Sequence, residues 1–155
     1  MQKIEFIKMH GLGNDFVIID NRINPILITP GIINKLSDRK LGAGCDQLIT
    51  INKSIGVEDV RIEIFNPNGD KAEACGNGTR CVAKILYEEN KKKSINILSD
   101  AGILNAIYKN ENNISVNMGK LHTKWDKIPL TKEMDTMNVP IDCLLYTSPS
   151  PRDRG

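Results

Sequence analysis

Residues 72–86 read AEACGNGTRCVAKIL, and the fold turns on how this stretch is read. Two glycines flank Asn77. Beyond them Cys81, Val82, Ile85 and Leu86 recur at the 3.6-residue period of an amphipathic helix. The spacing predicts a helix over residues 77–89 with one apolar face. Upstream, VRIEIFN alternates, placing Val60, Ile62 and Ile64 on one face and Arg61, Glu63 and Phe65 on the other, and NPNGD supplies a tight turn. Downstream, SINILS, ILNAIY and ISVNM read as three short strands, with Gly102 in the first turn and NENN in the second.

The N-terminal third extends the pattern. Residues 4–9 alternate as a strand, GLGND reads as a turn, and FVIID is a short β-branched run of the kind buried in a sheet. Thr29 followed by Pro30 marks a helix start, predicting a helix over residues 30–39 with Ile32, Ile33 and Leu36 on one face. LGAGCDQ is a glycine-rich loop leading into the strand LITI. A central helix among many strands joined by short turns is an α+β pattern. It predicts a strand-rich antiparallel sheet wrapped around that helix rather than alternating βαβ units. From Gly119 onward the pattern weakens into an extended connector, with one strand placed at residues 127–130. The expected organisation is a domain over residues 1–118, a connector over 119–142, and a C-terminal stretch over 143–155.

That last stretch, CLLYTSPSPRDRG, carries two prolines and no period of 2 or 3.6. Residues 143–153 resemble, position for position, one reading frame of a transposase-type sequencing adapter. They are set aside from fold reasoning as non-native, which leaves Cys143 without a function and makes the chain a fragment of a longer protein.

The composition is 155 residues, 40% hydrophobic and 26% charged, with a net charge of +2. This suits one domain with a real core. The basic residues are scattered apart from Lys91, Lys92 and Lys93, a solvated run after a helix, so no nucleic-acid partner is expected. No apolar run is long enough to span a membrane, and the N-terminus lacks a signal-peptide hydrophobic region. Four cysteines without regular spacing make no disulfide framework. The expectation is a reduced, cytoplasmic protein.

Cys75 stands directly before the predicted helix. A helix N-terminus presents unpaired N–H groups and about half a positive charge, which favours a thiolate and makes a seat for a carboxylate. Gly76 and Gly78 would let a ligand approach the backbone, and Asn77 offers an amide. Spacing alone leaves a second reading open, in which Cys75 is structural and the glycines serve a tight turn. Nucleophilic hydrolysis would require a histidine base, and neither His10 nor His122 has a supporting motif. Cys45, Cys75 and Cys81 lack the close spacing of a metal site, so no metal is expected. Cys81 falls on the apolar face of the helix and Cys45 in a glycine loop; both read as packing residues. GLGNDF opens no helix and does not make a dinucleotide motif.

KMHGLGNDFVIID, RKLGAGCDQLI, IFNPNGDKAEACGNGTRCVA and the MGK after a short strand resemble, in order and spacing, the N-terminal half of diaminopimelate epimerase. The resemblance covers the chain from Met1 to about Asp142. It implies two similar domains, each a strand-rich sheet around a central helix, of which one is present here. It also implies a cofactor-independent epimerase that interconverts LL- and meso-2,6-diaminopimelate towards lysine and peptidoglycan, working as a homodimer. Cys75 would then be one of two catalytic cysteines that act on opposite faces of the α-carbon and exchange acid and base roles. The other cysteine would lie in the C-terminal domain, so this chain alone is expected to be inactive. Asn14, Gln47 and Asn66 match substrate-binding side chains, and Gly76 and Asn77 match the backbone pair that holds the α-carboxylate. The physics agrees. Each unit of pKa mismatch between an α-proton and a thiol costs about 1.4 kcal/mol. Without a pyridoxal cofactor the carbanion must be stabilised by preorganised dipoles in a closed site. Two alternatives stand beside this reading: a related racemase of another amino acid, and a binding module that recognises carboxylates without catalysis.

Overall fold

The computed structural model describes residues 3–128 and 130–139. Eight strands and two helices follow in the order β1 (Ile7–Gly11), β2 (Asn14–Asp20), α1 (Pro30–Ser37), β3 (Gln47–Lys53), β4 (Val60–Phe65), β5 (Lys71–Ala72), α2 (Gly76–Asn90), β6 (Ser94–Ser99), β7 (Gly102–Asn110) and β8 (Asn113–Asn117). The chain divides into two compact units, Met1–Gly119 and Lys120–Gly155. All eight strands belong to the first. Among the described residues of the second, the one regular element is a 3-10 turn, Trp125–Lys127, and Lys127, Ile128 and Leu130 do not form the strand expected over 127–130. Residues 143–155, with Cys143, lie outside the described residues.

The strands form one sheet in the order β1-β2-β3-β4-β6-β7-β8, with β5 paired to β4. Helix α2 packs against β1 and β2 near one end of that order and against β6, β7 and β8 at the other. The sheet therefore curls around α2, as the periodicity of the 72–86 stretch suggested. Its buried face carries Phe16, Ile18, Ile49, Ile51, Ile62 and Ile64 onto Cys81, Val82 and Leu86 of the helix. The opposite face is buried too. Val17, Ile19, Leu48 and Phe65 pack with Ile33 of α1 and Cys45 in a second core. FVIID is therefore apolar without alternation because both faces of β2 are covered.

The sheet is mixed rather than wholly antiparallel. β2 runs parallel to β3, and β4 parallel to β6. Parallel neighbours need a long crossover, usually helical, and the two helices fill these two connections. The N-terminal strand also differs from expectation, running Ile7–Gly11 instead of 4–9. The β1–β2 hairpin closes through two residues only, Leu12 (φ 55°) and Gly13 (φ 83°). This left-handed pair suits the strand twist. It draws His10 and Gly11 into β1, and Asn14 and Asp15, expected in the turn, into β2.

Candidate active site

Strand register brings the predicted residues to one end of the sheet. Asn14 opens β2 and Gln47 opens β3, parallel strands in which Phe16 stands opposite Gln47. β4 runs the other way, so its final residue Phe65 lies opposite Leu48, and Asn66 follows at the same end. β5 pairs with that end of β4, and three residues after it comes Cys75, ahead of α2.

Cys75 is the N-cap of α2, in extended conformation, and it is half-buried. Its Sγ accepts the Gly78 N–H at 3.5 Å, and its carbonyl accepts the Thr79 N–H at 2.9 Å. The N–H groups of Gly76 and Asn77 precede the first intrahelical bonds and have no acceptor among the described residues. Two adjacent N–H groups beside a thiol, at the positive end of a fifteen-residue helix, can hold a carboxylate. The close approach of α2 to the sheet depends on Gly78: a Cβ there would lie 2.5 Å from Ile49 Cδ1.

Asn14 joins this group. The Cys75 thiol donates to Asn14 Oδ1 at 3.7 Å, and Asn77 Nδ2 donates to the same oxygen at 3.4 Å. Gln47 and Asn66 form a second pair, with Gln47 Nε2 donating to Asn66 Oδ1 at 3.0 Å. Four of the five predicted residues other than Cys75 thus fall into two hydrogen-bonded pairs on neighbouring strand ends, Asn14 with Asn77 and Gln47 with Asn66, and Gly76 lies in the chain between Cys75 and Asn77. Cys81 is buried on the same helix, and burial pushes its thiol up to about 11. Cys45 is buried with its Sγ 3.4 Å from Ser37 Oγ. His10 lines a cleft of about 320 Å³ between the β1–β2 turn and α2, together with Leu12, Arg80 and Lys84.

Sequence reasoning passed over the charged groups behind Asn14. Asn14 Nδ2 donates to Asp46 Oδ2 at 3.0 Å, and the Asp15 N–H donates to the same oxygen at 3.0 Å. Arg39 binds Asp46 Oδ1 at 2.7 Å and Asp15 Oδ1 at 2.8 Å. The Arg39 guanidinium, with Lys8 at 2.8 Å, holds the Asp15 carboxyl well below the usual carboxylate range. On the other side the Arg80 guanidinium donates to Asn77 Oδ1. Asp46 sits beside Gln47 in the quoted CDQ motif, but its bond to Asn14 appears only once β2 and β3 are known to lie parallel. Among the described residues no group of three or more His, Cys, Asp or Glu could hold a metal ion, and no helix is long and apolar enough to cross a membrane.

The diaminopimelate epimerase family model matches residues 6–124. A diaminopimelate epimerase of Zymomonas mobilis is 45% identical over 136 residues, which cover 88% of this chain and 48% of that one. One of Pelagibacter ubique is 42% identical over 141 residues, or 91% and 51% of the two chains. The chain thus spans about half the length of the curated relatives it matches. Among solved structures, a methylitaconate-delta-isomerase superposes with a TM-score of 0.57 at 15% identity, covering 79% of this chain and 66% of that one. A hydroxyproline epimerase of Agrobacterium vitis gives 0.53 at 12% identity, covering 73% and 40%. At such identities the likeness is one of fold, and it agrees with the α+β sheet curled around α2. The family match over most of the chain, with the relatives at these identities, establishes that the chain belongs to the diaminopimelate epimerase family.

Proposed function

We propose that Cys75 is an acid–base thiol of a cofactor-independent epimerase that interconverts LL- and meso-2,6-diaminopimelate, on the way to lysine and peptidoglycan precursors. The observation that carries this reading is the thiol at the α2 N-cap beside the two N–H groups of Gly76 and Asn77, neither with an acceptor among the described residues. A substrate α-carboxylate seated on those groups would bring its α-carbon towards Cys75 Sγ. The thiolate takes the α-proton, and the electron pair left on carbon spreads into the carboxylate, where the helix N-terminus stabilises the added charge. Asn14, Gln47 and Asn66 orient the substrate. Inversion requires a proton from the opposite face. On this reading it comes from a second cysteine outside this chain, in a full-length homodimeric, cytoplasmic enzyme. Residues 1–118 form the epimerase half, 119–142 lead towards the other half, and 143–155 are non-native.

The test is α-proton exchange in deuterium oxide with LL-diaminopimelate. The 155-residue chain alone should show none. Residues 1–139 fused to the C-terminal half of the Zymomonas mobilis relative should show exchange, and Cys75→Ser should remove it. Turnover by the chain alone would overturn the two-cysteine account. Exchange retained by the Cys75→Ser fusion would overturn the role of Cys75.

A further inference from the structure

The two amides beside Cys75 are joined in a line whose ends are charged. An amide side chain has one accepting and one donating end, and the hydrogen-bond partners decide which way it faces. Arg80 carries donors only, so Asn77 must turn its oxygen to Arg80 and its NH2 group to Asn14. Asp46 accepts at both oxygens, from Arg39 at Oδ1 and from the Asp15 N–H at Oδ2, so Asn14 must turn its NH2 group to Asp46. Both constraints leave the Asn14 oxygen facing Cys75, where it accepts the thiol proton. The arrangement is consistent from one end to the other: Arg80 to Asn77, Asn77 to Asn14, Asn14 to Asp46. Arg39 binds Asp46 and Asp15, and Lys8 binds Asp15, fixing the acidic end against the sheet.

We propose that Asp46 and Arg80 are positioning residues that together fix the Asn14 amide with its carbonyl oxygen towards the Cys75 thiol. In that orientation the amide holds the S–H form, and the proton lies on a defined line between Sγ and Oδ1. With the amide reversed, an N–H group would face the sulfur and favour the thiolate. Neither Asp46 nor Arg80 needs to touch substrate for this. The Gly78 N–H on the other side of the sulfur favours the thiolate. Asn14 therefore sets the counterweight, and Asp46 and Arg80 decide its sign. The charged groups around this line are Asp46, Asp15, Arg39 and Lys8 on the strand side and Arg80 on the helix.

This assignment rests on the reading of Asn14 and Cys75 as parts of one site, but its test uses no substrate and does not depend on turnover. Two double variants of the 155-residue chain separate orientation from charge. Asp46→Ala with Arg80→Met removes both pins and leaves the net charge unchanged. Asp46→Asn with Arg80→Lys changes the net charge by one but keeps an acceptor and a donor in place. At Asp46 Oδ2 two N–H groups converge, so an amide oxygen takes that position. The readout is the rate of Cys75 alkylation with limiting iodoacetamide across pH 6 to 9, followed by mass spectrometry, with Cys81 as the internal control.

The Ala/Met protein should label Cys75 about fivefold faster or more at neutral pH, with its profile moved to lower pH, while Cys81 stays protected. The Asn/Lys protein should follow the parent. Parental labelling of Cys75 in the Ala/Met protein overturns the assignment. So does equal acceleration in both variants, which would trace the effect to loss of the Asp46 carboxylate rather than to the orientation of the Asn14 amide. Faster labelling of Cys81 alongside Cys75 in the Ala/Met protein also counts against it, because local opening would then explain the rate.

Discussion

Helices α1 and α2 occupy equivalent places and are started differently. Each lies in the crossover between two parallel strands, β2 to β3 and β4 to β6. Each begins at a side chain that accepts an N–H from three residues along. In α1 the acceptor is the Thr29 oxygen, 3.3 Å from the Ile32 nitrogen, with proline at the first helical position. In α2 it is the Cys75 sulfur, 3.5 Å from the Gly78 nitrogen. Sulfur accepts weakly, and cysteine is not among the favoured N-caps. The glycines differ in the same sense. A Cβ on Gly31 would find only Thr29 Oγ1 at 3.9 Å, whereas one on Gly78 would collide with Ile49. Helix α1 is built as stability would have it. Helix α2 keeps a thiol where serine or threonine would cap better, and it is pressed onto the sheet so that this thiol meets Asn14.

The contrast breaks most visibly in activity. In the fusion with a relative's C-terminal half, Cys75→Ser should lower the exchange rate by roughly a thousandfold or more, because a hydroxyl is a far poorer base at neutral pH. Thr29→Ala in the same fusion should leave the rate within about twofold. Thiol labelling comes next. Burial raises Cys81 from 9.0 to about 11. Its thiolate fraction at pH 7 is then about a hundredfold below that of an ordinary thiol. Limiting iodoacetamide should modify the half-buried Cys75 before the buried Cys81, and the reverse order would make Cys75 the structural residue.

Stability should then separate the two glycines. Gly78→Ala should lose about 1–3 kcal/mol in urea unfolding, since Ile49 must move. Gly31→Ala, exposed and unobstructed, should gain about 0.5–1 kcal/mol. The same sign for both would erase the difference between the helices. The caps complete the comparison. Thr29→Ala should lose about 1 kcal/mol, whereas Cys75→Ser should gain a few tenths while losing function. A Cys75→Ser chain clearly less stable than its parent would show that the sulfur is there for packing.

The sequence exposed these features unevenly, for physical reasons. The α2 face was readable because Cys81, Val82, Ile85 and Leu86 all meet one surface, the inner face of the curled sheet. The start of α1 was readable because Thr29 and Pro30 act locally. Strand direction was not. β2 and β3 run parallel only because α1 returns the chain to the same edge, and nothing in FVIID or LITI encodes that direction. The two-residue hairpin was missed because Leu12 adopts a left-handed conformation more usual for asparagine or glycine. The sequence pattern therefore places Asn14 and Asp15 in a turn, whereas the structure has them in β2. Motif resemblance supplied Asn14, Gln47, Asn66 and Cys75 one at a time. Their division into two hydrogen-bonded sets, and the place of Asp46 and Arg80 in one of them, depends on register across strands distant in sequence.

The junction between β4 and β6 has a consequence for how the chain folds. Only Val60 with Ile97 and Arg61 with Leu98 pair across it. Asp59 extends it by one step: its N–H donates to the Asn96 carbonyl at 2.8 Å, and its carboxylate accepts the Asn96 N–H at 2.8 Å. On one side β1 to β5 form one group of strands; on the other β6, β7 and β8 form a meander of short-range contacts, the kind that assembles quickly. Helix α2 touches both groups and is the main tie across the narrow junction. The meander should therefore nucleate early and wait for the helix to dock. In native-state hydrogen exchange, amides at the β4–β6 junction should open with those of α2 as one cooperative step, ahead of the interior of either group.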